Sequence, residues 1–411
     1  MSHDKKQEDI EMKKFLSLVL AMCMVFALTA CGSEQAATST TETATENTEA
    51  AVESTEAAAT ETTEAAATTY TKGNDVPDEM TSADGKYQIA LVTDVGQLKD
   101  GSFNEGTWNG VKLYAANNGK SYKYYQPANG SEATDDDRYD AMAAACEAGA
   151  ELVVAPGFLQ ATALEKAAKA YPDSHFLFID GWDLGLDNVK AVAYQEEQCG
   201  YFAGYAVVKE GYTKLGFCDG GGGTNPACCR YGYGFVQGAN AAAAELGVDV
   251  EVQYTWLYGS TYSPSTELQT LVNGWYKNGT EVVFACGGTL CQSVFAAAAE
   301  NDGKTIGVDV DQSGDSDTVI TSAMKELANS VQQMAAKNDA GEWANLEGCV
   351  VLGAADNDTG IPTENWQFEK FTVDEYQAMF DSVASGSLVI DADYEANFGQ
   401  DYSNVTVNVV E

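Results

Sequence analysis

The 411-residue chain reads as an α/β protein built of two doubly wound, Rossmann-like lobes. Its length is too great for one ordinary domain and comfortable for two. From Tyr87 onward, short β-branched apolar runs alternate with alanine-rich helical segments, the pattern of a parallel sheet covered on both faces. These runs fall into two series of about five, which predicts two sheets and not one.

Strands of the first series are expected over 87–93, 121–126, 151–155, 175–179 and 191–194, and of the second over 214–218, 250–255, 281–285, 305–309 and 319–321. A helix over 322–337 and a strand over 349–352 come after both series. The first lobe is therefore assigned to residues 85–195 and the second to 196–321, with 322–411 crossing between lobes to complete both.

Ahead of the lobes, Lys13-Lys14 and the apolar run that follows have the length of a secretory signal, too short for a stable membrane span. The run closes on Leu28-Thr29-Ala30-Cys31-Gly32, which resembles the bacterial lipobox; residues 1–31 are read as a lipoprotein signal peptide with Cys31 lipidated. Residues 1–11 carry acids where such a signal wants positive charge, which makes Met12 an alternative start. Residues 32–84 follow as a solvated tether. Between Ser33 and Met80 the chain is largely Ala, Thr and Glu, with eleven acids, one lysine and little to bury. The location this implies is the extracytoplasmic face of a bacterial cell membrane.

Sixty-two acids against 22 Lys and Arg give a net charge of −40, which excludes nucleic acid as a main partner. Two histidines, His3 and His175, leave few catalytic or zinc options. No C-x-x-C pair occurs among Cys146, Cys199, Cys218, Cys228, Cys229, Cys286, Cys291 and Cys349. Buried free thiols are the simpler reading, although Cys286 with Cys291, or one of Cys228 and Cys229, could bridge. No metal and no cofactor is expected, and the protein is expected to be a monomer.

Open α/β sheets bind ligands beyond the carboxyl ends of their strands, and here those ends are polar or glycine-rich. They carry Asp94, Pro156-Gly157-Phe158, Asp180-Gly181, Gly287-Gly288-Thr289 and Asp309-Val310-Asp311. One such aspartate is as easily a turn former or a helix cap, whereas several at matching ends point to a cleft. In the string Asp100-Gly101-Ser102-Phe103-Asn104-Glu105, Ser102 and Glu105 have the spacing of a capping box. The helix should start there with Phe103 in its first turn, either overlooking the cleft or packing as a staple.

These strings, with Gln195-Glu196-Glu197, Tyr201-Phe202-Ala203-Gly204 and Gly307-Val308-Asp309-Val310-Asp311-Gln312, resemble the basic membrane protein family of ABC-importer lipoproteins, over roughly residues 86–353. The resemblance implies a type I periplasmic-binding-protein fold closing over a nucleoside, with permease and ATPase subunits as partners. It implies that Phe103 stacks on the base while Asp94 and Asn104 bond its polar edge. Asp180 is the matching acid of the other first-lobe strand, and Gly287, Asp309 and Lys325 match positions that hold the ribose. Trp256 or Tyr258 is expected on the opposite ring face. Residues 219–229, with four consecutive glycines, depart from the family pattern.

A stacked base contributes about 1 to 3 kcal/mol, and a hydrogen bond to a carboxylate about 1.5 to 3 kcal/mol. A phosphate facing Asp94, Asp180 and Asp309 would be repelled. Rival readings are weaker. Asp309 and Asp311 share one strand face, as an acid and base of a nucleoside-cleaving enzyme would, but no nucleophile elbow, HExxH or P-loop lysine is present. The glycines at 220–223 as a phosphate cradle lack the acid and lysine of that fingerprint. A wide pocket among Phe103, Phe158, Trp182 and Trp256 would admit a flavin or other aromatic solute. A surface sensor or adhesin that feeds no importer is a further alternative.

Overall fold

The computed structural model describes residues 69–95 and 97–410. The expected signal peptide, Cys31 and the tether up to residue 68 lie outside the described residues. In chain order the strands are β1 Ile89–Val92, β2 Tyr122–Tyr125, β3 Leu152–Pro156, β4 His175–Ile179, β5 Val189–Tyr194, β6 Lys214–Asp219, β7 Val250–Thr255, β8 Val282–Cys286, β9 Lys304–Asp309, β10 Val319–Lys325, β11 Cys349–Leu352, β12 Thr359–Gly360 and β13 Val405–Val410.

They form two sheets. The first is six-stranded, ordered β11-β5-β4-β3-β1-β2, with every pairing parallel. The second is seven-stranded, ordered β12-β10-β9-β8-β6-β7-β13, parallel except where β12 meets β10. This is the doubly wound α/β architecture in two copies. The central strands β1, β3 and β8 are buried along their whole length, which is why they read as unbroken apolar runs. Alternate side chains serve opposite faces: Leu91, Val154 and Leu177 pack on one side of the first sheet, and Ala90, Val153 and Phe176 on the other.

The helix expected over 322–337 is corrected. Ser322, Ala323 and Met324 continue β10 beside Gly307, Val308 and Asp309 of β9, and the helix spans Leu327–Asp339. Ladder hydrogen bonds to β9 outweigh the local helical pattern of this stretch. That helix packs in the first lobe, where a Cβ on Gly110 would lie 2.8 Å from the Ala328 backbone. The chain therefore passes between sheets after β5, after β10 and again after β11.

The expected tether is also corrected at its end. Val76 is buried beside Trp108, and Tyr70 and Met80 pack on the same cluster. Asp78 accepts from Trp108 Nε1 at 3.0 Å and from Lys112 Nζ at 2.8 Å. Residues from Tyr70 on thus cover the outer face of helix Phe103–Asn117, a task invisible in their polar composition. Strand β13, which extends the second sheet beside β7, was not anticipated.

Candidate functional site

The first-lobe wall of the cleft begins where β1 ends. Asp100 caps helix Phe103–Asn117, its carboxylate accepting from the backbone N–H groups of Ser102 at 2.9 Å, Asn104 at 2.9 Å and Glu105 at 3.1 Å. The expected Ser102/Glu105 capping box does not form. Ser102 Oγ instead donates across the cleft to Asp309 Oδ2 at 2.7 Å, while Glu105 accepts from Lys99 Nζ at 3.0 Å. With Asp100 holding the orphan amides, the Ser102 hydroxyl is free to join the lobes.

Asn104 Nδ2 donates to Asp94 Oδ1 at 3.1 Å and to Asp100 Oδ2 at 3.0 Å. Its amide oxygen is buried and has no hydrogen-bond partner. Burial raises the Asp94 carboxyl to about 7 and Asp100 to about 6. Gly157, at φ 97°, closes over this pair: a Cβ there would fall 2.2 Å from Asp94 Oδ2.

Lys325, only 3% exposed, forms the floor. Its ammonium binds Asp180 Oδ2 at 2.6 Å and Glu196 Oε1 at 3.1 Å. It also lies 5.3 Å from the Phe103 ring centroid, 5.2 Å from Tyr194 and 5.4 Å from Tyr231. Burial works against its charge, but Asp180, Glu196 and Asp309 outweigh burial and hold its pKa well above the ordinary value. Burial likewise pushes Glu196 up, yet Lys325 and Arg230, the latter at 2.6 Å, keep it below the usual range. Asp180 stays raised to about 6, because desolvation exceeds what Lys325 returns.

Asp180 and Asp309 both have positive φ, 56° and 67°, so each strand ends in a left-handed turn that aims its carboxylate into the cleft. The opposite wall is lined by Gly287, at φ 132°, which sits so close to Gly220 that a Cβ would lie 2.9 Å from its Cα.

The cavity between the lobes measures about 710 Å³, part of it open to solvent. Asp94, Phe103, Asn104, Asp180, Gly287, Asp309 and Lys325 all line it. Trp256 does not: it borders a separate cavity with Tyr254 and Phe398, and Tyr258 is 46% exposed away from the cleft. The second-lobe rings in the cleft are Tyr231, beside Lys325, and Tyr262. Tyr262 was missed because its seat is made by glycines distant in sequence. A Cβ on Gly221 would lie 2.3 Å from Tyr262 Oη and one on Gly287 3.2 Å from Tyr262 Cδ1. The glycine run at 220–223 thus accommodates a tyrosine; pairs of glycines at two strand ends were the available signal. Trp182 also lies outside the cleft lining, 47% exposed and packed on Phe178 at 5.3 Å. Among the described residues the eight cysteines are free, so neither candidate bridge forms, and no cluster suited to a metal ion occurs.

The charged groups of this cleft are each paired with another protein group, Asp180 through one oxygen only and Asp309 through the Ser102 and Tyr231 hydroxyls. The arrangement is one that grips. A family model described as "ABC transporter substrate-binding protein PnrA-like" matches residues 87–382. The chain belongs to this family. It is 30% identical over 279 residues, 62% of this chain and 76% of the relative, to the "ABC transporter nucleoside-binding protein BmpA" of Lactococcus lactis subsp. cremoris. It is 27% identical over 237 residues to basic membrane protein B of Borreliella burgdorferi, covering 55% of this chain and 66% of that one. A crystal structure of ABC-transporter solute-binding proteins from Aeropyrum pernix K1 superposes with a TM-score of 0.64 at 21% identity, over 75% of this chain and 96% of that one, and shows the same fold. This solute-binding protein of an ABC transporter therefore has the type I binding-protein fold, and its relatives are receptors, not enzymes. Among the described residues of the receptor, no helix is long and apolar enough to cross a membrane.

Proposed function

We propose that this receptor captures a nucleoside, a purine nucleoside in particular, between its lobes and passes it to an ABC permease. The observation that carries the reading is the Phe103 ring beside a buried Asp94–Asn104 pair whose amide oxygen has no partner. A ring face next to unspent acceptors suits a flat heterocycle with N–H donors on its edge. Asp180 Oδ1, also buried without a partner, offers an acceptor for a sugar hydroxyl, and Asp309, although it already accepts from Ser102 and Tyr231, keeps second lone pairs beside it. Lys325, the cation of the cavity, is already neutralised, so a phosphate would meet only acids. The printed name of the Lactococcus relative points the same way.

Lipidation at Cys31 would hold the receptor at the membrane surface; a relative from Pyrococcus furiosus, 23% identical over 236 residues, is named as a lipoprotein. Calorimetry of the purified chain against inosine, guanosine, adenosine, ribose, a flavin and a nucleoside monophosphate tests the reading. Tightest binding is expected for a purine nucleoside and none for the monophosphate. A flavin or a bare sugar binding more tightly than every nucleoside would refute it. Mass spectrometry of membrane-extracted protein should find acyl chains on an amino-terminal Cys31; an unmodified cysteine would rule out the anchor.

A further inference from the structure

A second cavity lies in the second lobe, beyond the ends of β6 and β7, and it holds the tryptophan that the cleft lacks. The rings of Tyr254, Trp256, Tyr394 and Phe398 surround it together with the carboxylates of Asp219 and Glu395, enclosing about 620 Å³, part of it open to solvent. Its aromatic walls brace one another. Phe398 meets Tyr254 edge-on at 4.8 Å, Tyr254 meets Trp256 at 6.1 Å, and Gly223 approaches Trp256 so nearly that a Cβ would lie 3.2 Å from its Cγ.

Asp219 ends β6 at 2% exposure. Its Oδ2 accepts from Tyr254 Oη at 3.2 Å, whereas Oδ1 is buried without a hydrogen-bond partner. The Cys229 thiol lies close enough to donate a weak hydrogen bond to the same carboxyl, and it supplies no charge. Arg230, next in the chain, is bound to Glu196 at 2.6 Å, and among the described residues no lysine or arginine pairs with Asp219 or Glu395. Burial pushes the Asp219 carboxyl up to about 8, as befits an acid without a counter-charge.

An ammonium group placed here would offset the burial that keeps this carboxyl protonated, so that it releases its proton and pairs as a carboxylate, and aromatic faces attract cations that carry an apolar body. We propose that this cavity is a second binding site, for a small organic ammonium compound whose nitrogen sits against Asp219 and whose carbon skeleton lies among Trp256, Tyr394 and Phe398. An inorganic cation would satisfy the acid and leave the rings unused. A neutral aromatic would fill the rings and leave the acid unpaired.

The full chain titrated calorimetrically with phenethylammonium, and in parallel with the neutral 2-phenylethanol, tests the assignment. The ammonium compound is expected to saturate the protein and to bind at least about tenfold more tightly than the alcohol. Binding should be lost in Asp219→Asn and in Trp256→Leu, and kept in Phe103→Ala, which alters only the interlobe cleft. Equal binding of amine and alcohol, no saturation at millimolar concentrations, or loss in Phe103→Ala with retention in Asp219→Asn would each overturn the proposal. Should Asp219→Asn fail to fold, Phe398→Ala carries the same test, with circular dichroism confirming its fold.

Discussion

The first-lobe wall of the cleft draws most of its groups from one stretch after β1, with Asp94, Asp100, Phe103 and Asn104, and is completed by Gly157 and Asp180 beyond β3 and β4, whereas the second-lobe wall is assembled from the ends of β8, β9 and β10 and the loop that carries Tyr262. The two also spend their polar groups differently. On the first wall, Asp100 takes up the helix amides and leaves Asn104 with an unused acceptor. On the second, Lys325 is consumed by Asp180 and Glu196, and Asp309 by Ser102 and Tyr231. The near wall keeps spare valence for a ligand; the far wall spends most of its valence joining the lobes. Substitutions in the first should therefore alter affinity, and substitutions in the second stability.

Lys325→Met is the harshest test of that division. It strands Asp180 as a buried carboxylate and leaves Glu196 with Arg230 alone, in a site that stays shielded from water, and breaking a buried pair in this way costs about 3–5 kcal/mol. Urea denaturation should show a midpoint far below that of the parent chain. An unchanged midpoint would mean that the cluster does not support the fold, and the contrast between walls would lapse.

Phe103→Ala probes the near wall. Loss of the stack should weaken nucleoside binding by about 1–3 kcal/mol. Phe103 lies at the margin of the first-lobe core, so the unfolding midpoint should move much less than in Lys325→Met. Affinity retained with stability lost would reverse the roles of the two walls.

The same division governs what could be read from sequence. Strands with continuous burial, such as Ile89–Val92 and Leu152–Pro156, announce themselves through apolar runs that local chemistry alone dictates. Asp94, Phe103 and Asn104 are near neighbours in sequence and were legible for the same reason. Tyr262 was not, since its place depends on glycines at two strand ends meeting only in the folded sheet. Trp256 sits at a strand end of the right kind, yet its ring packs against Tyr254 and away from the cleft, an orientation that alternation along one strand does not encode. Strand β10 outran its expected end because β9 pairs with Ser322 to Met324, and residues near Val76 are buried by a helix they meet only in three dimensions.

The last expected effect concerns Asp94 and pH. Burial holds its carboxyl at about 7 in the folded chain, against an ordinary value of 3.8. Between those limits the native state keeps a proton that the unfolded state has released, so stability falls as pH rises through this window. Below it both states are protonated and the group contributes nothing; above it the full penalty of a buried charge is present. Asp94→Asn cannot ionise and escapes the penalty. Asp100 and Asp180, both at about 6, add slopes of the same sign, but they are present in both proteins and largely cancel in the difference. Thermal midpoints of the ligand-free proteins from pH 4 to pH 8 should therefore diverge steadily, with the variant gaining on the parent as pH rises. Parallel curves would show that Asp94 is already charged without cost, so that the near wall holds no more spare valence than the far one.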